Sequence, residues 1–218
     1  MEKRAIILTN GIIEDPSIIR TRLKDWNDAI VIAADGGYLH AEILGLELHT
    51  VVGDLDSISK KTGSSFFEQG IRIHSSPAEK DETDLALALL HATSLGVDRI
   101  LILGAIGGRL DMSIANLLLM TLPSLAKIQV EMWVATQTAW IIRPPGDEVL
   151  GQPGDTLSLI PLAGTAKGIT TSNLAYPLQN EKLRAGFSRG LSNVLTGSTA
   201  SIELQEGHLL AILTPGRA

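Results

Sequence analysis

The chain has 218 residues, 44% of them hydrophobic and only 19% charged, which is enough apolar material for one large packed domain or two small ones. It contains no cysteine, which excludes disulfides, zinc–thiolate centres and thiol nucleophiles. A formal net charge of −6 without any Lys/Arg cluster argues against nucleic acid as a partner.

The apolar run that opens the chain, up to Leu8, is too short for a signal peptide, and Ala5–Thr9 reads instead as a strand. Ser17–Trp26 reads as helix, Ala29–Ala33 as strand, and Tyr38–Leu44 as a helix closed by Gly45. Strands follow at Thr50–Val52 and Ile71–His74, then a buried helix over Asp84–Leu95 that stops at Gly96. Arg99–Leu103 is an apolar strand, Ser113–Met120 a helix, and Ile128–Val134 a last strand before the pattern changes. Alternation of this kind predicts a doubly wound, mostly parallel sheet covered by helices. From about residue 138, Gly and Pro punctuate short runs such as Thr156–Ile160, Ala200–Leu204 and Leu209–Leu213, the pattern of a smaller all-β sandwich. The expected domains are 1–137 and 138–218. No segment approaches the roughly 20 apolar residues that cross a bilayer, so a cytoplasmic protein without a membrane partner is expected.

The acidic residues fall at strand ends. Asp35 follows the second strand in Ala34-Asp35-Gly36-Gly37, and Asp54 and Asp56 follow the third in Gly53-Asp54-Leu55-Asp56-Ser57. In open α/β sheets the crevice beyond the strands' carboxyl ends binds ligands, and hard oxygen donors gathered there suit Mg²⁺. Asp beside Gly also makes ordinary turns. A second cluster, Glu79-Lys80-Asp81-Glu82-Thr83-Asp84, precedes a helix whose free N–H groups attract anions. Lys80 suits a phosphate and Asp81 and Asp84 a metal shell, although Asp and Thr at that place also serve as plain caps. A third, Gly104-Ala105-Ile106-Gly107-Gly108-Arg109-Leu110-Asp111, joins backbone that admits a close ligand to a guanidinium fork, without the spacing of a Walker A loop. The 5 histidines lie at scattered positions without metal-ligand spacing.

Taken in this order and on this frame, Gly-Asp-Leu-Asp-Ser, Lys-Asp-Glu-Thr-Asp and Gly-Gly-Arg-Leu-Asp resemble the thiamine pyrophosphokinase family of bacterial type. Ala34-Asp35-Gly36-Gly37 belongs to the same resemblance. So do Tyr176-Pro177-Leu178, Gly190-Leu191-Ser192-Asn193 and Thr196-Gly197 in the last third. The resemblance implies a nucleotide-binding α/β domain, a thiamine-binding sandwich, and a homodimer with sites between subunits. It implies ATP and thiamine as substrates, Mg²⁺ as the cofactor, and thiamine diphosphate and AMP as products. Asp54, Asp56, Asp81 and Asp84 would surround the metal. Asp35, Lys80, Thr83, Gly107, Gly108 and Arg109 would contact the nucleotide, and Ser192 and Asn193 would face thiamine. Asp56, Asp84, Arg109 and Asp111 would carry the chemistry, Asp111 either by supporting Arg109 or by acting on the site directly. Met112 departs from the family, whose bacterial members commonly place His there. Two other readings are a pyrophosphokinase acting on another hydroxymethyl heterocycle, such as a pterin, and a thiamine or nucleotide sensor without turnover.

Overall fold

The computed structural model describes residues 2–54, 60–75, 81–162 and 164–216, with the side chains of 60 and 61 outside that description. The chain divides into two compact units, Met1–Ala135 and Thr136–Ala218.

The first unit begins with β1 (Arg4–Leu8) and α1 (Pro16–Arg22). Asp15 caps α1, its carboxylate accepting from the Ser17 and Ile18 amides, with Pro16 pre-set at the first helical position. The expected helix to Trp26 instead tightens into a 3-10 turn over Leu23–Trp26. That turn buries Leu23 and Trp26, and Trp26 meets Trp133 edge-on with ring centres 6.2 Å apart. β2 (Ile30–Ala34) runs into a 3-10 turn, Asp35–Tyr38, and then α2 (Leu39–Leu44), which Gly45 ends at φ 68°. β3 (Thr50–Gly53), α3 (Lys60–Glu68) and β4 (Arg72–Ser75) follow. The next elements are α4 (Asp84–Ser94), β5 (Arg99–Leu103), α5 (Leu110–Leu119) and β6 (Gln129–Val134).

The six strands are parallel, in the order β4-β3-β2-β1-β5-β6. β1 is central, with Ile6 between Val31 and Leu101 and Leu8 between Ala33 and Leu103. Both faces of β1 are covered, which is why its sequence is continuously apolar rather than alternating. On one face Ile6, Leu8, Val31, Leu101 and Leu103 pack with Ile19, Leu23, Trp26, Ala41 and Leu44. On the other, α4 lies against β1, β2 and β3 through a buried stripe that includes Leu85, Ala88, Leu89 and Ala92.

The second unit is all β: β7 (Gln137–Ile142), β8 (Gly146–Leu150), β9 (Thr156–Pro161), β10 (Thr165–Ser172), β11 (Glu181–Arg184), β12 (Asn193–Val194), β13 (Thr199–Glu203) and β14 (Leu209–Thr214). Two antiparallel sets form, β12-β9-β14-β7 and β11-β10-β13-β8. Leu157, Leu159, Leu209 and Ala211 from the first set share one core with Val149, Ala166, Ile169, Leu183 and Ile202 from the second, the layering of a sandwich. The architecture is thus a doubly wound parallel domain followed by a smaller β sandwich.

Candidate active site

Sheet order decides where a ligand fits. From β1 the chain steps to β2, β3 and β4 on one side and later returns to place β5 on the other. The strand order therefore reverses at β1, and the crevice beyond the carboxyl ends of β1 and β5 is the topological switch point. A cavity of about 350 Å³ lies there, its wall including Asn10, Asp35, Asp84, Gly107, Arg109 and Asn116.

Hydrogen bonds lace the two loops that open the crevice. The Thr9 amide donates to the Leu103 carbonyl at 2.9 Å, Gly11 to Gly104 at 2.7 Å, and Ile12 to Ile106 at 2.9 Å. The Thr9 hydroxyl also bonds the Gly104 carbonyl. Only glycine fits at 11, because a Cβ there would run into the Gly104 carbonyl. His40 Nε2 donates to the Gly11 carbonyl at 2.9 Å, which gives that histidine a structural duty. His49 is likewise used by the backbone, its Nδ1 accepting from the Val31 amide at 3.2 Å.

The carboxylates converge from separate elements. Asp35 ends β2 in the left-handed region, φ 46°, which Asp tolerates better than most residues. A Cβ built on Gly53 would lie 3.3 Å from Asp84 Oδ1 and 3.4 Å from Asp35 Cβ, so the end of β3, the β2 turn and the start of α4 meet at one place. Asp54 follows directly. Asp81 is exposed ahead of α4, and Thr83 caps that helix, its hydroxyl accepting from the Ala86 amide at 3.3 Å. Asp56 and Lys80 lie outside the described residues. Among the described residues no three His, Asp or Glu side chains group closely enough to cage a metal. An oxygen-only set of one or two carboxylates, completed by substrate phosphates, is nevertheless the usual setting of Mg²⁺, and Asp35, Asp54 and Asp84 fit that chemistry.

Arg109 sits at the N-cap of α5 with its fork closed on Asp111, Nε to Oδ1 at 3.2 Å and Nη2 to Oδ2 at 2.5 Å. This bond holds the Asp111 carboxyl below its usual range and pushes the guanidinium further up. Both side chains are largely exposed, 73% and 66%, so the pair is screened and exchangeable. The observed pair is the contact that the first of the two roles open for Asp111, support of Arg109, requires. Met112 lines the cavity.

Ser192 and Asn193 lie in the second unit. Ser192 is exposed at φ 53°, its amide donating to the Ser158 hydroxyl at 3.1 Å. Asn193 is buried. Its Oδ1 accepts from the amides of Tyr176 at 3.0 Å and Val194 at 2.9 Å, and its Nδ2 donates to the Tyr176 carbonyl at 2.7 Å. Most of its amide is thus spent on backbone within the unit.

The structure therefore gathers Asp35, Asp84, Gly107, Gly108 and Arg109 around one cavity, with Gly53 and Asp54 beside the two aspartates. Reading the sequence for acids and glycine loops passes over Thr9, Asn10 and Gly11 after β1, and over Ser113 and Asn116 in α5. A signal was present in the second case, since Asn in the middle of Ile114–Leu119 is out of place in an apolar helix.

A family model described as the thiamin pyrophosphokinase catalytic domain matches residues 23–132, and one described as the thiamin pyrophosphokinase vitamin B1 binding domain matches residues 141–209. Thiamine pyrophosphokinase of Bacillus subtilis (strain 168) is 30% identical over 162 residues, 73% of this chain and 75% of that protein. A crystal structure of the Bacillus subtilis thiamine pyrophosphokinase superposes with a TM-score of 0.83 at 23% identity, covering 98% of this chain and 99% of that one. That of thiamin pyrophosphokinase from Candida albicans gives 0.75 at 17% identity, covering 96% and 89%. At these identities the two superpositions speak for the fold.

Proposed function

The chain belongs to the thiamine pyrophosphokinase family, and on that premise we propose that it moves a pyrophosphoryl group from ATP to the hydroxyl of thiamine. The observation that carries the reading is one cavity at the sheet's switch point, walled by Asp35 and Asp84 together with the Gly107-Gly108-Arg109 loop. Acids for a metal and a cationic fork for phosphate around one cavity are what a triphosphate requires.

In the proposed reaction the thiamine hydroxyl oxygen attacks the β-phosphorus, the bond from that phosphorus to the oxygen bridging to the α-phosphate breaks, and AMP leaves. The hydroxyl proton passes to a carboxylate, with Asp84 and Asp56 the two candidates. Arg109 exchanges its exposed partner Asp111 for phosphate oxygens, and Asp111 holds the fork ready in between. Lys80 adds a second cation. Asp54, Asp56, Asp81 and Asp84 would hold Mg²⁺, which when bound neutralises the charge of the triphosphate. Thr83, proposed as a further nucleotide contact, keeps α4 capped.

Division of labour follows the two units, with the first handling the nucleotide and the second handling thiamine, where Ser192 offers the exposed contact. The enzyme is proposed to work in the cytoplasm, where its nucleotide substrate is made, as a homodimer with sites between subunits. The stripe Leu110, Ile114 and Leu118 on α5, exposed and apolar, supports assembly.

The test is a coupled assay. Purified protein with ATP, Mg²⁺ and thiamine is expected to release AMP and thiamine diphosphate in equal amounts. Absence of AMP, or AMP formed equally well without thiamine, overturns the proposal.

A further inference from the structure

Helix α5 buries two polar residues more deeply than any of its leucines. Leu110, Ile114 and Leu118 are 75%, 51% and 46% exposed, whereas the helix's buried residues are the polar Ser113 and Asn116. Burying polar side chains in place of available leucines is unfavourable unless they make bonds that nothing else supplies.

The bonds are there, and they all go to one loop. Ser113 Oγ accepts from the Gly107 amide at 3.1 Å and donates to the Arg109 carbonyl at 3.0 Å. Asn116 Nδ2 donates to the Ala105 carbonyl at 2.8 Å. Two side chains one helical turn apart thus grip residues 105, 107 and 109, every second residue of the segment that carries Arg109. Asn116 Oδ1 is buried with no hydrogen-bond partner among the described residues. Leaving an amide oxygen unsatisfied is a cost that a leucine would avoid, so the residue is kept for what its nitrogen does.

We propose that Ser113 and Asn116 are positioning residues that set the backbone of the Ala105–Arg109 loop, and with it the guanidinium of Arg109, for the nucleotide's phosphates. The inference rests on reading that loop as the phosphate contact. Asn116 also lines the cavity, and the role proposed for the two residues is an indirect one. Both act through the loop, Ser113 on its amide and carbonyl at the Arg109 end and Asn116 at the β5 end. With glycine at 107 and 108 the loop has little stiffness of its own, and the helix side chains supply it.

The test measures ATP binding by calorimetry with Mg²⁺ present, thiamine binding without nucleotide, and exchange of the Gly107 amide proton by NMR. Ser113→Ala is expected to weaken ATP by about fivefold to tenfold, the worth of one or two lost hydrogen bonds, to leave thiamine affinity unchanged, and to speed Gly107 exchange. Ser113→Thr, which keeps the hydroxyl, is expected to restore all three. In an Arg109→Ala background, Ser113→Ala is expected to cost less ATP affinity than in wild type, because the main group it positions is gone. An equal loss in both backgrounds, equal losses for ATP and thiamine, or unchanged Gly107 exchange overturns the proposal. Asn116→Leu gives a second reading at the other end of the loop. Should it fail to fold, Ser113→Ala, which deletes a single oxygen, still decides. A wild-type protein that binds ATP but forms no AMP sinks the kinase reading alone, since the binding cycle is read without turnover.

Discussion

At the scale of single residues, carboxylates at strand ends were legible because the sheet topology gives a chemical meaning to the residue after a strand. Asp35 and Asp54 follow β2 and β3, and Arg109 stands in the turn after β5. Asn193 is the instructive contrast. By family resemblance it faces thiamine, yet in the sandwich it is buried and holds both the Tyr176 backbone and the Val194 amide. Its stability role can be separated from any contact with the vitamin. Asn193→Ala strips two amides and a carbonyl of their partner and is expected to cost about 1–3 kcal/mol in urea unfolding, while Ser192→Ala, at an exposed position, changes stability by under about 0.5 kcal/mol. An Asn193→Ala protein that unfolds at the wild-type urea concentration would show that these bonds contribute little. Ser113 and Asn116 act through backbone of the Ala105–Arg109 segment, so the pattern of α5 could mark Asn116 as out of place without showing what it holds.

Elements were legible where their period was strong. β5 matches its expected span residue for residue, β3 and β6 differ by one residue at one end, and β1, β2 and β4 are shifted by one residue at both ends. Helix α3 was missed because Thr62, Gly63, Ser64 and Ser65 have poor intrinsic helix propensity, and it is tertiary packing of Phe66 with Ala33 and Val51 that stabilises it. α5 was expected to begin at Ser113 but begins at Leu110, one turn earlier, where the exposed Leu110 and Asp111 carry no apolar period. Among the strands of the second unit, β7, β8, β10, β11 and β12 were not individually expected; β11 and β12 are short, and β8 and β10 each carry a glycine that reads as a turn. The contact between α4 and the edge strand β4 leads to a pH prediction. His91 on α4 and His74 on β4 stack at 4.3 Å, tilted by 45°. Burial first, then His74 and Arg72, holds the His91 imidazole below its usual value. The unfolded chain takes up this proton near pH 6.5 and the folded chain only at lower pH, so stability is full above about pH 6.5 and falls as the pH drops below it. His208, lowered by burial and by Arg143, acts in the same direction. Thermal melts from about pH 7.5 down to about pH 5.5, a range in which ordinary carboxylates stay ionised, should show a decline that His91→Gln makes shallower. Equal slopes in the two proteins would remove His91 from the explanation.

For the whole molecule, the change from alternating apolar segments to glycine- and proline-punctuated runs announced two units of different class, because the two kinds of sheet need different connections. That change of class also separates the proposed chemistry, with Asp84 and Arg109 in the first unit and Ser192 in the second. If a complete site joins the first unit of one subunit to the second unit of its partner, two inactive variants must complement each other. Asp84→Asn removes a carboxylate from the cavity wall. Ser192→Arg sets a cation at the exposed residue proposed to meet the cationic thiazolium. Each variant is first shown to be folded by its melting curve and inactive in the AMP assay. The two are then co-expressed with different affinity tags, so that mixed dimers can be isolated by sequential capture. In an unsorted sample about half the dimers are mixed and each holds one site free of both lesions, giving roughly a quarter of wild-type activity. Sorted mixed dimers should reach about half. If each site instead lies within one subunit, every site in a mixed dimer carries a lesion and activity stays at background. Mixed dimers without activity would thus overturn the shared site and leave the transfer reaction standing, whereas the absence of any dimer would overturn the assembly itself.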